Sequence, residues 1–248
     1  MPRIDELLQS TKKGCVMSSL DLRSGYWQVS TADRDQNGLR NTYRYLGTYR
    51  FTRMPFGLKG SPATFQRLID RFQSGPSLGG RHILGYLDDL LVISENFEYH
   101  LSDLRAAFER LRMFKLRANR EKCVFARDRL KYLGHVISND GISPDEDKVR
   151  SVLDMKEPTN LQQLRTFLQT CSWFRKFIPE FAKVAEPLTR FTKKSQIWQW
   201  GDDQPKAFVH LKSLLASPPI LVQPDYSKPF ILRTDASDFA LGAALLQG

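Results

Sequence analysis

Cysteine is scarce in this chain of 248 residues: the three present, Cys15, Cys123 and Cys171, are odd in number and far apart. That excludes a disulfide framework and a cysteine-rich zinc cluster, and leaves buried or half-buried thiols. Also missing are any apolar run near the length of a membrane span and any charged-then-apolar leader. No membrane partner is therefore expected, and the protein is read as intracellular. Acidic residues are in short supply as well, 27 Asp and Glu against 37 Lys and Arg, for a formal charge of +10. Such an imbalance says nothing about fold but makes a polyanion the natural partner.

What is present is enough apolar material, 41% of the chain, to bury a core in one large or two small domains. Basic residues alternate with aromatics in Tyr43-Arg44-Tyr45, in Tyr49-Arg50-Phe51-Thr52-Arg53 and in Trp173-Phe174-Arg175-Lys176-Phe177. The mixture suits phosphate contact with base stacking nearby, although amphipathic elements with solvated charges read the same way.

The run Leu84 to Ile93, Leu-Gly-Tyr-Leu-Asp-Asp-Leu-Leu-Val-Ile, sets two adjacent carboxylates between short apolar stretches with no cationic neighbour. Stretches this short and rich in Leu, Ile and Val predict a hairpin with Asp88 and Asp89 at or beside its turn. Asp commonly bonds local backbone in turns, so the pair alone reads equally as turn residues or as ligands of a divalent metal. A further carboxylate bears on that choice. The strand predicted from Cys15 to Leu20 ends in Asp21, and Gly25 follows, where something can approach the backbone closely. One Asp on a strand end and an Asp-Asp hairpin form the arrangement needed to hold two Mg²⁺ ions on a nucleotide's phosphates during in-line displacement.

Elsewhere the pattern predicts a short helix ending at Gln9. A loop through Phe56-Gly57 and Gly60-Ser61-Pro62 enters a helix from Ala63 to Phe72, leaving backbone amides free at its start. An amphipathic helix is expected between His100 and Lys115 with Leu101, Leu104, Phe108 and Leu111 on its packed face. Arg129 to Ser138 resumes strand character, and His135 taken alone reads as a surface imidazole. After the turn Asn139-Asp140-Gly141, a capping box from Ser143 to Glu146 with Pro144 at the first helical position predicts a new helix. Thr159 and Gln162 open another, with Leu161, Leu164, Leu168 and Cys171 on one face. Beyond a Lys193-Lys194-Ser195 linker come a helix near Gln204 to Leu215, a strand Ile220 to Val222, and a strand ending in Asp235 with Leu241 to Leu246 as its hairpin partner.

Four stretches carry a resemblance: Ser19 to Tyr26, Met54 to Gln66, Tyr86-Leu87-Asp88-Asp89 and Tyr132 to Ser138. Together they resemble the polymerase motifs of gypsy-type long-terminal-repeat retrotransposons, in the family's order and near its spacing, and the likeness runs over essentially all 248 residues. It implies a mixed α/β right-hand polymerase: a palm with partial fingers over residues 1–138, helical thumb over 139–195, and an incomplete ribonuclease H-like segment over 196–248. The implied activity is RNA-directed DNA polymerisation with associated ribonuclease H. Asp21, Asp88 and Asp89 would be the catalytic metal ligands, for Mg²⁺ or Mn²⁺. Tyr26 would lie under the incoming sugar and reject a ribose 2′-hydroxyl, with Phe56 and Lys59 near nucleotide and template. Leu133, Gly134 and His135 would grip the primer end, and Asp235 would be the first metal ligand of the ribonuclease H site. Implied partners are an RNA or DNA template with primer, deoxynucleoside triphosphates, and the rest of a Pol polyprotein with protease, ribonuclease H and integrase. The family's setting is a cytoplasmic particle or the nucleus.

Two departures stand against the pattern. Met1-Pro2-Arg3-Ile4-Asp5-Glu6-Leu7 matches the interior of a family polymerase, so the fingers segment with its triphosphate-gripping Lys and Arg is expected to be missing, as are the later carboxylates of the nuclease. Between Gln36 and Leu46 relatives would carry Lys-Thr-Ala-Phe-Val-Thr-Pro, where this chain has Asn37-Gly38-Leu39-Arg40-Asn41-Thr42. A one-base shift of reading frame converts the first into the second, and a loop-like segment is then expected in place of a palm strand. A related RNA-templated RNA polymerase is disfavoured by Leu87 before Asp88 and by Tyr26. A catalytically dead nucleic-acid-binding remnant or a pseudogene fragment is the alternative of a different class, and weak or no activity is expected of these 248 residues by themselves.

Overall fold

The computed structural model describes the chain except residues 12–15, 34–37, 39, 44–46, 76–77, 194–197, 223, 225–226, 237–240 and 248. Cys15, Asn37, Leu39, Arg44, Tyr45, Lys194 and Ser195 thus lie outside the described residues.

At the centre is a four-stranded antiparallel sheet in the order β4-β5-β1-β6, built from β1 (Val16–Asp21), β4 (His82–Tyr86), β5 (Asp89–Ser94) and β6 (Val124–Arg127). Successive side chains of a strand point to opposite faces, and both faces here are apolar. Along β5, Leu90 and Val92 enter one core with Leu20 and Ile83, while Leu91 and Ile93 enter another with Met17 and Leu84. The first core is closed by α2 (Ser61–Gln73), through Phe65, Ile69 and Phe72, and by α3 (Phe97–Met113), through Ala107 and Leu111. The second joins α1 (Ile4–Gln9), the three-stranded sheet β7 (Arg129–Tyr132), β8 (His135–Ser138) and β9 (Gly141–Pro144), and the C-terminal helices. Those helices are α4 (Glu146–Leu153), α5 (Leu161–Trp173), α6 (Phe181–Val184), α7 (Glu186–Thr189) and α8 (Asp203–Ala216).

Several expected details are corrected. On α3 the packed face is rotated: Leu101 and Phe108 are 53% and 42% exposed, whereas His100 and Arg110 are buried. Both polar groups are paired inside, which removes the penalty that usually keeps them out. The Arg110 guanidinium donates to the Phe72 and Arg71 carbonyls at the end of α2, at 2.9 and 2.8 Å. His100 lies between the hydroxyls of Ser18 and Ser94, at 2.6 and 2.9 Å, and Ser94 donates to Asp103. The capping box at Ser143 does not form, because Gly141–Pro144 is committed to pairing with β8; Asp145 caps α4 by accepting from Asp147 N–H. For α5 the cap is Asn160 rather than Thr159, with Gln163 reaching back to the Thr159 amide. The predicted strand Ile220 to Val222 reduces to a single bridge between Leu221 and Ile142.

Of the segment expected to be loop-like, Arg40 to Thr42 lie in a strand, while Asn37 and Leu39 fall outside the described residues. β2 (Arg40–Tyr43) pairs with β3 (Gly47–Arg50), Arg40 opposite Arg50 and Tyr43 opposite Gly47, in a sheet of its own. Backbone pairing suffices there, since β3 is exposed along its length and a hairpin outside the central sheet need not present an apolar face. The C-terminal hairpin forms as expected from β10 (Ile231–Ala236) and β11 (Leu241–Leu246), with β10 exposed on both faces. Among the described residues no helix is long and apolar enough to cross a membrane.

Candidate active site

Antiparallel pairing of β1 with β5 puts Asp21 directly opposite Asp89, and the two-residue turn before β5 adds Asp88. The Leu22 amide donates to the Asp88 carbonyl at 2.7 Å, tying that turn to the end of β1. Gly25 begins a short 3-10 turn through Gln28 and is where the backbone is closely approached. A Cβ there would stand 1.9 Å from Asp88 Oδ1 and 2.7 Å from Phe65 Cζ, so only glycine fits.

Three carboxylates this near one another repel. The Asp88 carboxyl is pushed up to about 6, first by burial, then by Asp21 and Asp89, while the Gly25 amide and Lys122 pull the other way. Asp89 is raised by burial and by Asp21, again opposed by Lys122. Asp88 Oδ1 is buried without a hydrogen-bond partner. Lys122 Nζ is 3.8 Å from Asp21 Oδ2, the nearest compensating charge. Among the described residues no three His, Cys, Asp or Glu side chains close up into a finished metal cage. An orphaned carboxylate oxygen in an all-oxygen, mutually repelling donor set nonetheless fits a hard divalent cation, which also takes oxygens from its substrate.

Beside the carboxylates, Tyr26 is fixed by two rings, Phe56 at 5.1 Å and Phe65 at 5.6 Å between centroids. Its phenol is raised by burial and by Asp88. Phe56 is 57% exposed, and Lys59 is exposed on the same loop before α2. Leu133 and Gly134 form the turn between β7 and β8 with φ of +49° and +75°, as two-residue hairpin turns with matching twist require. His135 is not the surface imidazole expected: it is 2% exposed, packed near Trp173 and Phe177. Its Nδ1 meets the Leu133 carbonyl at 2.9 Å, and burial, then Lys176, lowers its pKa against the opposing pull of that hydrogen bond. Asp235 sits exposed on β10 opposite Gly242, on a hairpin separate from the central sheet.

Residues without a local signal complete the site. Gln28 donates to the Arg23 and Arg117 carbonyls and accepts from the Arg117 amide, holding segment 117–122 against Asp21, whose carbonyl accepts from Asn119 N–H. That placement brings Lys122 in. Gln66 reaches from α2 to the turn before Asp88. Spacing along the chain does not predict their contacts with Arg117 and Leu87, which are distant in sequence; the partner at a helical spacing is Asp70, an i, i+4 neighbour of Gln66.

The family described as "Reverse transcriptase (RNA-dependent DNA polymerase)" matches residues 1–137, and "RNase H-like domain found in reverse transcriptase" matches residues 200–248. Among curated relatives, the chain is 37% identical over 247 residues to the retrovirus-related Pol polyprotein from transposon 412 of Drosophila melanogaster, covering 100% of this chain and 20% of that protein. It is 38% identical over 259 residues to that of transposon opus, also from Drosophila melanogaster, covering 100% of this chain and 25% of that one. With the transposon Tf2-3 polyprotein of Schizosaccharomyces pombe the identity is 33% over 248 residues, 100% of this chain and 18% of that protein. The chain therefore spans about a fifth of the length of such relatives. Among solved structures, the foamy viral protease-reverse transcriptase dRH in complex with double-stranded DNA superposes with a TM-score of 0.88 at 21% identity, covering 100% of this chain and 43% of that one. The same enzyme with an RNA/DNA hybrid gives 0.84 at 21% identity, covering 99% and 33%.

Proposed function

The chain belongs to the reverse transcriptase family, and on that premise we propose that it is the RNA-directed DNA polymerase region of a gypsy-type retrotransposon Pol polyprotein, followed by part of a ribonuclease H-like domain. The observation that carries the reading is the half-buried Asp88 carboxylate, whose Oδ1 is buried without a partner and whose pKa is raised to about 6 beside Asp21 and Asp89. Polymerase and thumb regions would divide near residue 138, and the nuclease-like region would begin near 196.

In this reading Asp21, Asp88 and Asp89 hold divalent cations, Mg²⁺ or Mn²⁺, which when bound neutralise phosphate charge and polarise the attacked phosphorus. The chain's own work is then positional. Gly25 lets the Asp88 carboxylate come up under the 3-10 turn, so metal ligand and sugar site share one wall. The Tyr26 ring, braced by Phe56 and Phe65, presents a rigid face that excludes a 2′-hydroxyl from the incoming nucleotide. Lys59 offers a cation to template or triphosphate, and the Leu133-Gly134 turn, backed by buried His135, meets the primer's sugar-phosphate chain. Asp235 contributes to a second, RNA-hydrolysing metal site in the nuclease-like region. Template with primer, deoxynucleoside triphosphates and the other parts of the polyprotein are the partners.

Primer extension on an RNA template by the polypeptide carrying this chain tests the reading. Incorporation of deoxynucleotides that needs Mg²⁺ and is lost in Asp88→Asn is expected. Preference for ribonucleotides would sink it, and salt-sensitive primer-template binding without incorporation would favour a nucleic-acid-binding remnant.

A further inference from the structure

Strand β4 is an edge of the central sheet, so its outward backbone groups have no neighbouring strand to pair with. Two glutamines seven residues apart on one face of α2 take that strand's place. Gln73 Nε2 donates to the Ile83 carbonyl at 3.0 Å, and Gln66 Nε2 donates to the Gly85 carbonyl at 3.1 Å. Gln66 goes further. Its Oε1 accepts from the Leu87 amide at 3.0 Å, and its Nε2 is also within 3.0 Å of Asp70 Oδ1. The side chain is 2% exposed and spans the turn that leads into Asp88.

That turn needs holding. Leu87 sits at φ +50°, a left-handed conformation that a residue with a branched side chain adopts at a cost. Gly85 allows α2 to close in, since a Cβ there would be 2.5 Å from Ile69 Cγ2 and 2.9 Å from Leu90 Cδ2. The residue just before Gln66 on the helix, Phe65, is one of the two rings that brace Tyr26. One helical turn of α2 thus sets both the Asp88 loop and the wall of the sugar site.

We propose that Gln66 is a positioning residue for the polymerase reaction: its amide fixes the Leu87-Asp88 turn in the conformation that presents the Asp88 carboxylate to metal. This rests on the polymerase reading for its consequence but not for its structural content. The terminal carboxamide supplies a donor and an acceptor on separate atoms at the reach this turn requires; a carboxylate would face the Gly85 carbonyl and Asp70, and an apolar side chain would orphan Gly85 O and Leu87 N–H. Gln73 makes the same kind of bond one step away from the turn and serves as the control.

The experiment compares wild type, Gln66→Met, Gln66→Asn and Gln73→Met by residue-resolved amide hydrogen exchange, by thermal melting, and by titration with Mn²⁺ followed by its paramagnetic resonance. Expected is at least a tenfold loss of Leu87 amide protection in Gln66→Met. Mn²⁺ affinity should weaken on the order of tenfold with it, the scale at which partners behind metal ligands act. Gln73→Met should melt at a similar temperature while keeping both properties. Unchanged Leu87 protection in Gln66→Met, or equal losses in Gln73→Met, would overturn the proposal. Gln66→Asn, one methylene too short to span Gly85 and Leu87, must fall with Gln66→Met and decides the matter if the latter does not fold. Failure of the wild type to bind Mn²⁺ would instead remove the polymerase reading, with Leu87 exchange still judging the role of Gln66.

Discussion

Asp88 carries two opposed demands. In the proposed role of metal ligand it must be ionised, yet burial and its two acidic neighbours make ionisation costly in the metal-free fold. A folded value near 6 above the ordinary 3.8 means the folded chain holds this proton more tightly than the unfolded one. Stability from this group is therefore full below about pH 4 and lost as pH rises through about 6. Asp88→Asn removes that liability, so without divalent cation at pH 7.5 its melting temperature should equal or exceed that of wild type. Mg²⁺ should stabilise wild type alone, and polymerisation should fall on the order of a hundredfold or more in the variant. Destabilisation by Asp88→Asn in metal-free buffer would contradict this account. His100 gives the opposite sign. Burial lowers its pKa, against a smaller pull from Asp103, so stability is present above the ordinary 6.5 and lost as pH falls below it, by at most about 1.4 kcal/mol per pH unit. His100→Gln should be less stable than wild type at pH 7.5 but lose less between pH 7 and 5.5, read by urea denaturation. The Asp-Asp pair and Asp21 were legible in the sequence because a strand end and a hairpin turn are local facts. His100, Arg110 and Gln66 were not, since the groups that justify burying them come from segments far along the chain.

At the scale of elements, the sequence pattern located helices and strands well and their faces less well. Apolar spacing alone put Leu101 and Phe108 of α3 inwards, whereas the helix turns to bury Arg110 against the end of α2. The guanidinium satisfies two carbonyls there and lies 4.8 Å from the Phe114 ring. Replacing it tests whether α3 is locked to α2 by this group. Arg110→Met keeps most of the volume but orphans the Phe72 carbonyl, which should cost roughly 1–3 kcal/mol, measured by denaturant unfolding. A loss within about 0.5 kcal/mol, as for surface changes, would mean that apolar packing alone orients α3. Cap positions slipped for a related reason: Ser143 offers a good local cap, but β9 claims it, and tertiary pairing outweighs a capping contribution of about 1 kcal/mol. The pairing of Arg40–Tyr43 with Gly47–Arg50 shows the converse, a stretch with no strand-like alternation drawn into a hairpin by its partner.

For the whole molecule, composition spoke about partners and stayed silent about topology. The order β4-β5-β1-β6 joins strands far apart in sequence, and one core runs from Leu8 to Leu215 across elements that local pattern cannot assign to each other. The surplus of positive charge has a measurable consequence. If the C-terminal helices hold a primer-template duplex through its phosphates, the logarithm of affinity should fall linearly with that of salt, by about 0.9 per neutralised phosphate. Individual cations then differ in a way the structure predicts. Lys176 is paired with Asp5 at 3.1 Å, so much of its charge is already matched within the protein, whereas Arg175, one residue earlier, makes no ion pair among the described residues. Arg175→Gln should therefore flatten the salt dependence by close to one phosphate equivalent. Lys176→Gln should flatten it by less, because it also releases Asp5 as an unmatched negative charge nearby. Filter binding of a primer-template between 50 and 200 mM salt, a range over which affinities of this kind fall by orders of magnitude, separates the two. Equal slopes for both variants and wild type would place the duplex elsewhere on the protein and detach the basic, aromatic segment around Trp173 from nucleic-acid binding.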